Sequence, residues 1–539
     1  MTKEEIATRI RSGRTALGLE LGSTNIKAVL VTEDCRTVAS GSFGWENQLI
    51  HGIWTYPLTE AWTGIQTCYQ QLANMVQTEY GVPLKQIGSI GISAMMHGYL
   101  AFNHEDQQLA QFRTWRNNIT AEAAAKLTEA FHFNIPQRWS VAHVYQAALN
   151  DEPEVCDIAF LTTLAGYVHW QLAGEKVLGI GDASGMFPID PETGTYDAGR
   201  LTTFDNLPAA AKQPWKLADI LPAVRQAGDD AGQLTTIGAR LLDPSGQLAA
   251  GSRMAPPEGD AGTGMVSTNS VRPGTGNISI GTSAFSMNVL DKSLREVHQD
   301  IDIVTTPAGA PVAMVHTNNC TSDLNAWAGL FADFAAAAGF KLTGDQLYAL
   351  LLGQVGEAAA DAGGLINYSC LSGENVTRVE TGRPLLVRTP HSHMTLGNFI
   401  LAQLYGAFAP LRIGMDILIQ EEHVTAQRMI AQGGLFRTPV IGQQVLANLL
   451  GIPVTIMEMA DAGGPWGMAV LAVYAGLPAE GRPPLAEFLE QHVFAEVAGS
   501  TCEPADAGRR GAEQFIKAYR AGLPTEIAAG QTIVDTAED

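Results

Sequence analysis

Five residues of "LELGSTNIKAVL" are of types and spacing suited to chemistry: Glu20, Gly22, Ser23, Thr24 and Lys27. The N–H groups of a glycine turn, two hydroxyls and one ammonium are what a polyphosphate needs, and a carboxylate beside them can hold the hydrated magnesium that accompanies it. The flanking runs, 16–21 and 26–32, read as strands, so the turn joins a hairpin. A plain surface hairpin would look the same from one copy, but the pattern returns. "NISIGTSAFSMNVL" repeats strand, turn and strand, with Gly281, Thr282 and Ser283 where Gly22, Ser23 and Thr24 stood. Two such turns, one per half, predict two related domains that meet around one nucleotide.

A third segment, "RMIAQGGLFRTPVIGQQVLANLLGIPVTIME", reads strand, double glycine, helix, strand. Gly433 and Gly434 would let the backbone pass close to a flat ring or a ribose that a β-carbon would block. The small-residue helix of "ADAGGPWGMAVLAVYAG" is expected to pack tightly against that unit. These segments need a scaffold, and strands and helices alternate along the chain: "IGSIGISAMMHGYLAFN" reads strand, loop, strand, and "AEAAAKLTEAFHF" an amphipathic helix. Such alternation favours layered α/β domains with ligands at strand ends.

The chain has 539 residues, too many for one core. At roughly 150 residues per domain it holds two to four. Its formal charge of −22 repels nucleic-acid backbones and anionic lipid, so neither nucleic acid nor membrane is an expected partner. A phosphate-bearing ligand must then be held by local backbone dipoles, a few cations and bound metal. Six cysteines are scattered without a C-x-x-C pair, as expected of buried thiols in a reducing compartment. The first twenty residues lack an apolar signal region, and no stretch approaches the ~20 apolar residues of a membrane span, so the chain is expected to be soluble and cytoplasmic. "HTNNC" and "HSH" offer metal-compatible atoms but no partner pair at zinc-site spacing, and read as structural.

In order and spacing these motifs resemble the FGGY carbohydrate kinases, sugar kinases of the actin-like (ribonuclease H-like) ATPase superfamily. The resemblance runs from about Thr15 to about Ala475 and is carried by "GLELGSTNIKAVL", "FLTTLAGYVHWQLAGEKVLGIGDASGMFPID", "EGDAGTGM", "SIGTSAF", "INYSCLSGEN" and "AQGGLFRTPVIGQQVLANLLGIPV". It implies two actin-like α/β domains flanking a central cleft. The first, over 1–268, would carry most of the sugar site and the first phosphate turn, and the second, over 269–539, the second phosphate turn and the adenosine site.

The resemblance further implies ATP and Mg2+ as cofactors, a sugar as the other small-molecule partner, and a homodimer, since relatives are often dimers. Asp260 in "EGDAGTGM" matches the family's catalytic aspartate, and its small neighbours leave room for a hydroxyl to approach. "AMMHGYLAF" looks most like the sugar loop of the xylulose kinases, which marks Met96 and His97, with Trp115 and Asn117 of "QFRTWRNNIT", as sugar contacts. An indole suits the C–H face of a ketose and an amide suits its hydroxyls.

The chain departs from the family pattern in two places. An acid common in the Trp-Asn-Asp segment is missing from Trp115, Arg116, Asn117 and Asn118, and Glu20 stands where most relatives carry Asp. Lys27 falls where relatives place a basic phosphate contact. The expected reaction is phosphorylation of the terminal hydroxyl of a ketopentose, xylulose first, with ribulose or another ketose or polyol as the alternative. The same turns also serve actin-like ATPases that phosphorylate no sugar, and Asp260 and the Met-His-Gly loop speak against that reading.

Overall fold

The computed structural model describes residues 1–438, 440–457 and 463–533. Among them the chain forms two compact units that interleave in sequence. The first gathers Met1–Val271, Asp302–Val312 and the stretch from the helix Gly463–Gly476 on to Val497. The second gathers Arg272–Ile301, the stretch from Ala313 to the strand Val454–Met457, and the part that carries the helix Asp506–Thr532. A single cut at 268/269 therefore misses two segments that return to the first unit.

In the first unit, β1 (Thr15–Leu21) and β2 (Asn25–Thr32) pair antiparallel, and β3 (Thr37–Gly44) extends the sheet beyond β2. On its other side β1 runs parallel to β4 (Ser89–Ala94), which runs parallel to the short β5 (Glu258–Gly259). Leu21 lies beside Ala94 and Ala94 beside Gly259. The residues that follow these strands, Gly22, Met95 and Asp260, therefore emerge at one end of the sheet, where ligands of parallel sheets bind.

β1 is buried nearly throughout because helices cover both faces, which explains an apolar run rather than an alternating one. On one face the helix Leu58–Tyr80 packs Gly64 against Ile26 and Phe43. On the other lies the helix Gly463–Gly476, so close that a β-carbon on Gly18 would sit 2.1 Å from the Pro465 carbonyl oxygen. That corrects the sequence expectation for this helix: its small residues serve β1 in the first unit, not the double-glycine segment of the second. Residues 460–462, which open that motif, lie outside the described residues. The hairpin tip 302–312 is tied to the same unit by hydrogen bonds, Thr305 N to Ser184 Oγ (3.0 Å) and Thr305 Oγ1 to the Ile180 carbonyl (3.0 Å).

The second unit repeats the plan. β6 (Thr275–Ile280) pairs antiparallel with β7 (Ala284–Val289) and parallel with β8 (Arg428–Gly433). β9 (Val454–Met457) and β10 (Gly499–Cys502) continue the sheet. Ile280 lies beside Gly433, so the second glycine turn and the double glycine share one sheet end.

Candidate active site

The first glycine turn is held by its carbonyls. Gly22 N donates to the Asn25 carbonyl (3.0 Å), while Trp45 Nε1, Tyr56 Oη and Trp45 N donate to the carbonyls of Gly22 (2.7 Å), Ser23 (2.6 Å) and Thr24 (3.1 Å). The Trp45 and Tyr56 rings stack at 4.2 Å, which fixes the two side-chain donors against each other. With the carbonyls drawn inward, Ser23 and Thr24 are left exposed at the strand end. Lys27 is exposed and stands opposite Glu20 across the hairpin. Nothing local in the sequence marked Trp45 and Tyr56, which reach the turn from the loops that follow the strands Thr37–Gly44 and Ile53–Thr55.

Four carboxyl groups gather in the first unit. Asp260 opens the helix Asp260–Ser267, and its Oδ1 accepts from Met96 N (3.2 Å) and Ala261 N (3.0 Å). Burial raises its pKa, and those backbone donors oppose the shift. Burial pushes Glu20 up to about 7, with the Asp260 charge adding to the shift and Lys27 opposing it. Glu258 accepts from the backbone N–H groups of Gly181 (3.3 Å) and Asp182 (3.1 Å), and Asp182 Oδ2 accepts from Thr163 Oγ1 (2.7 Å). Burial pushes both acids to about 8, and the Asp182 charge further raises Glu258. Asp182 Oδ1 is buried with no hydrogen-bond partner among the described residues. Sequence reading overlooked Asp182 and Glu258, although both stand inside quoted motifs, "GDASGM" and "EGDAGTGM".

The Met-His-Gly loop follows β4. His97 adopts a left-handed backbone (φ +70°), and its ring Nδ1 lies 3.1 Å from the Gly185 carbonyl. A carbonyl only accepts, so Nδ1 carries the proton and Nε2 is the acceptor the neutral ring can offer a hydroxyl. Burial, aided by the Arg138 charge, lowers the ring's pKa to about 3, so it stays neutral. Trp139 stacks on it at 6.3 Å and 19°. A β-carbon on Gly185 would meet Nδ1 at 2.7 Å, so position 185 must stay bare.

The Trp115 indole is 40% exposed and so accessible to a ligand. Asn117 differs from the sequence expectation. Its Oδ1 accepts from Trp54 N (2.8 Å), and its Nδ2 donates to the carbonyls of Trp54 (2.7 Å) and Thr114 (3.0 Å). A fully buried amide has to satisfy its own donors and acceptor, and here it does so as a brace between two loops. Both its amide nitrogen and its oxygen are thereby engaged with backbone.

In the second unit, Gly281 N donates to the Ser283 carbonyl (2.9 Å), and the Gly281 carbonyl accepts from Thr321 N (3.1 Å) and Thr321 Oγ1 (2.7 Å). Cys320 N donates to the Thr282 carbonyl (2.9 Å), and Thr282 is exposed. The two glycines beside it have separate causes. Gly433 has φ +133°, and a β-carbon there would lie 2.0 Å from the Ile280 carbonyl oxygen. Around Gly434 no described atom comes within 4 Å of such a carbon, so the fold itself does not require that glycine.

Two units with matching hairpin turns at sheet ends, one of them beside a carboxyl cluster, define an α/β fold of the actin-like ATPase type, built as in the sugar kinases. Residues 15–243 match the N-terminal domain of the FGGY family of carbohydrate kinases and residues 276–476 its C-terminal domain, and the chain belongs to that family. It is thus a phosphotransferase acting on a carbohydrate alcohol group, and ATP is the donor the family implies. It is 24% identical over 493 residues to a xylulose kinase of Klebsiella pneumoniae, covering 87% of this chain and 92% of that one. It is 22% identical to a gluconokinase of Bacillus licheniformis, covering 85% and 87%. The crystal structure of a xylulose kinase from Rhodospirillum rubrum shares the fold with a TM-score of 0.77 at 20% identity, covering 95% of this chain and 99% of that one. Among the described residues no helix is long and apolar enough to cross a membrane.

Proposed function

We propose that this chain transfers the γ-phosphate of ATP to the terminal hydroxyl of a ketopentose, xylulose first, with Asp260 as the general base. One observation supports this most: the Met96 N–H of the Met-His-Gly loop donates to Asp260 Oδ1, so the candidate sugar loop and the candidate base are locked together. Oδ2 is then the oxygen offered to the substrate. In the proposed reaction the hydroxyl oxygen bonds to the γ-phosphorus as the bond to the leaving ADP oxygen breaks, and the hydroxyl proton passes to Asp260. His97 Nε2 accepts from a second hydroxyl, and Trp115 covers the C–H face. Gly22, Ser23, Thr24 and Lys27 are the proposed phosphate contacts of the first unit; Gly281 and Thr282 are those proposed for the second, with Gly433 and Gly434 as its adenosine contacts.

Among the described residues no three His, Cys, Asp or Glu side chains are grouped to hold a metal. Mg2+ needs no such cage, because it binds mostly to phosphate and water. Glu20 fits the remaining place: its carboxylate lies where a β-carbon on Gly464 would come within 2.6 Å, and the Asp260 charge beside it favours a nearby cation. When bound, Mg2+ supplies neutralisation of the phosphate charge. The test is ADP release coupled to a reporter over a panel of ketoses, polyols and aldonates. Turnover on a ketopentose is expected, and ADP release indifferent to every sugar would sink the assignment.

A further inference from the structure

We propose that Asp302 is a specificity-determining residue that restricts the sugar site to neutral substrates by neutralising Arg138. The proposal rests on the reading of the Met-His-Gly loop as the sugar contact. Arg138 precedes Trp139, the ring stacked on His97, and its carbonyl accepts from Gly98 N at 3.5 Å. Its guanidinium forms an ion pair with Asp302, whose other carboxylate oxygen accepts from Asn134 Nδ2 (3.1 Å). Asp302 comes from the hairpin tip that returns to the first unit, and its side chain is only 11% exposed, so water screens the pair weakly.

The charge around the loop gives this pair its consequence. Arg138 is the cation whose field reaches the His97 ring. Glu20, Asp182, Glu258 and Asp260 stand in the same unit, with Asp260 hydrogen-bonded to the loop itself. With Arg138 committed to Asp302, an aldonate carboxylate would find that guanidinium already paired. A ketose or polyol loses nothing, because it brings hydroxyls only. The matched relatives include both a xylulose kinase and a gluconokinase, so members of one family meet this choice. Discrimination through a charge partner is of the kind that can exceed what shape supplies, since a misplaced carboxylate is left desolvated and unpaired.

The experiment measures steady-state kcat and KM for D-xylulose and D-gluconate on the full chain, for the wild type, Asp302→Asn and the double variant Arg138→Gln/Asp302→Asn. The wild type should favour xylulose by about 100-fold or more in kcat/KM. Asp302→Asn should raise kcat/KM for gluconate by about tenfold, chiefly through KM, with xylulose constants held within about threefold, and the double variant should lose the gain. Asp302→Ser removes the same charge and serves where Asp302→Asn does not fold. Gluconate turned over by the wild type as well as xylulose, or no gain in either Asp302 variant, overturns the proposal while leaving the ketose kinase standing. Equal losses on both sugars also overturn it, by assigning Asp302 a structural role. A wild type that turns over neither sugar overturns the reading beneath it as well.

Discussion

The two glycine turns spell nearly the same motif and are built differently. In the first, Leu21 pairs with Ile26, leaving four residues in the bend, and Gly22 N closes on the Asn25 carbonyl. In the second, Ile280 pairs with Ala284, leaving three, and Gly281 N closes on the Ser283 carbonyl. The first is anchored by the Trp45 indole and the Tyr56 hydroxyl, the second by Thr321 and Cys320 at the start of the helix Ser322–Ala337. Only the first lies in the unit that holds Glu20 and Asp260. Drawing the carbonyls inward is common to both, because it leaves hydroxyls outward for an anion. The candidate acid–base group stands in the unit of one of them alone, and each difference can be tested.

The largest effect should fall on the chemical side of that contrast. Asp260→Asn removes the proton acceptor and should lower kcat by about 10²–10⁴, with ATP affinity held within a few-fold. Nucleotide affinity measured by calorimetry decides the role: its collapse alongside kcat would make Asp260 structural. Next comes the glycine pair beside the second turn. Gly433→Ala should destabilise by about 3 kcal/mol or more, because strand backbone blocks the methyl and the positive φ disfavours it. Gly434→Ala should melt like the wild type yet raise KM for ATP by about tenfold, if a ligand fills the space the protein leaves empty. An unchanged KM would remove Gly434 from the nucleotide site.

Stability should also depend on pH through the first unit. Glu258 and Asp182 have folded pKa values near 8 against ordinary values of 4.5 and 3.8. A raised carboxyl pKa means that the fold prefers the protonated form, so this contribution is complete below about pH 4 and is lost as pH rises towards 8. Melting temperature should fall across that window, and Glu258→Gln should flatten the fall. A profile unchanged in Glu258→Gln would show that the acid does not titrate in the fold. The smallest effects concern the anchors. Trp45→Phe, which loses the bond to the Gly22 carbonyl, should cost about 1–2 kcal/mol. Thr321→Ala, which keeps its N–H on the Gly281 carbonyl, should cost about half as much. Thermal melts that reverse this order would contradict the contrast between side-chain and backbone anchoring.

The backbone of the candidate site was legible because it is local. A glycine turn between strands, a double glycine before a helix and an acid among small residues each announce a backbone conformation within a few positions. Asn117 is the opposite case: an amide looks the same in sequence wherever it faces, and only its neighbours in space show that it braces Trp54. Asp182 and Glu258 lie 76 positions apart, and their joint burial is not a property of either motif.

Local backbone chemistry and the order of motifs, both carried by the chain itself, determined the class of this protein and its two glycine turns, and marked Asp260 as the candidate base. Tertiary structure alone decided that the helix Gly463–Gly476 and the tip 302–312 belong to the first unit, that Trp45 and Tyr56 hold a turn, and that Asp302 reaches Arg138. The physical reason is distance along the chain: periodicity and turn propensity act over a few residues, whereas burial, ion pairing and close packing depend on partners that only folding brings together.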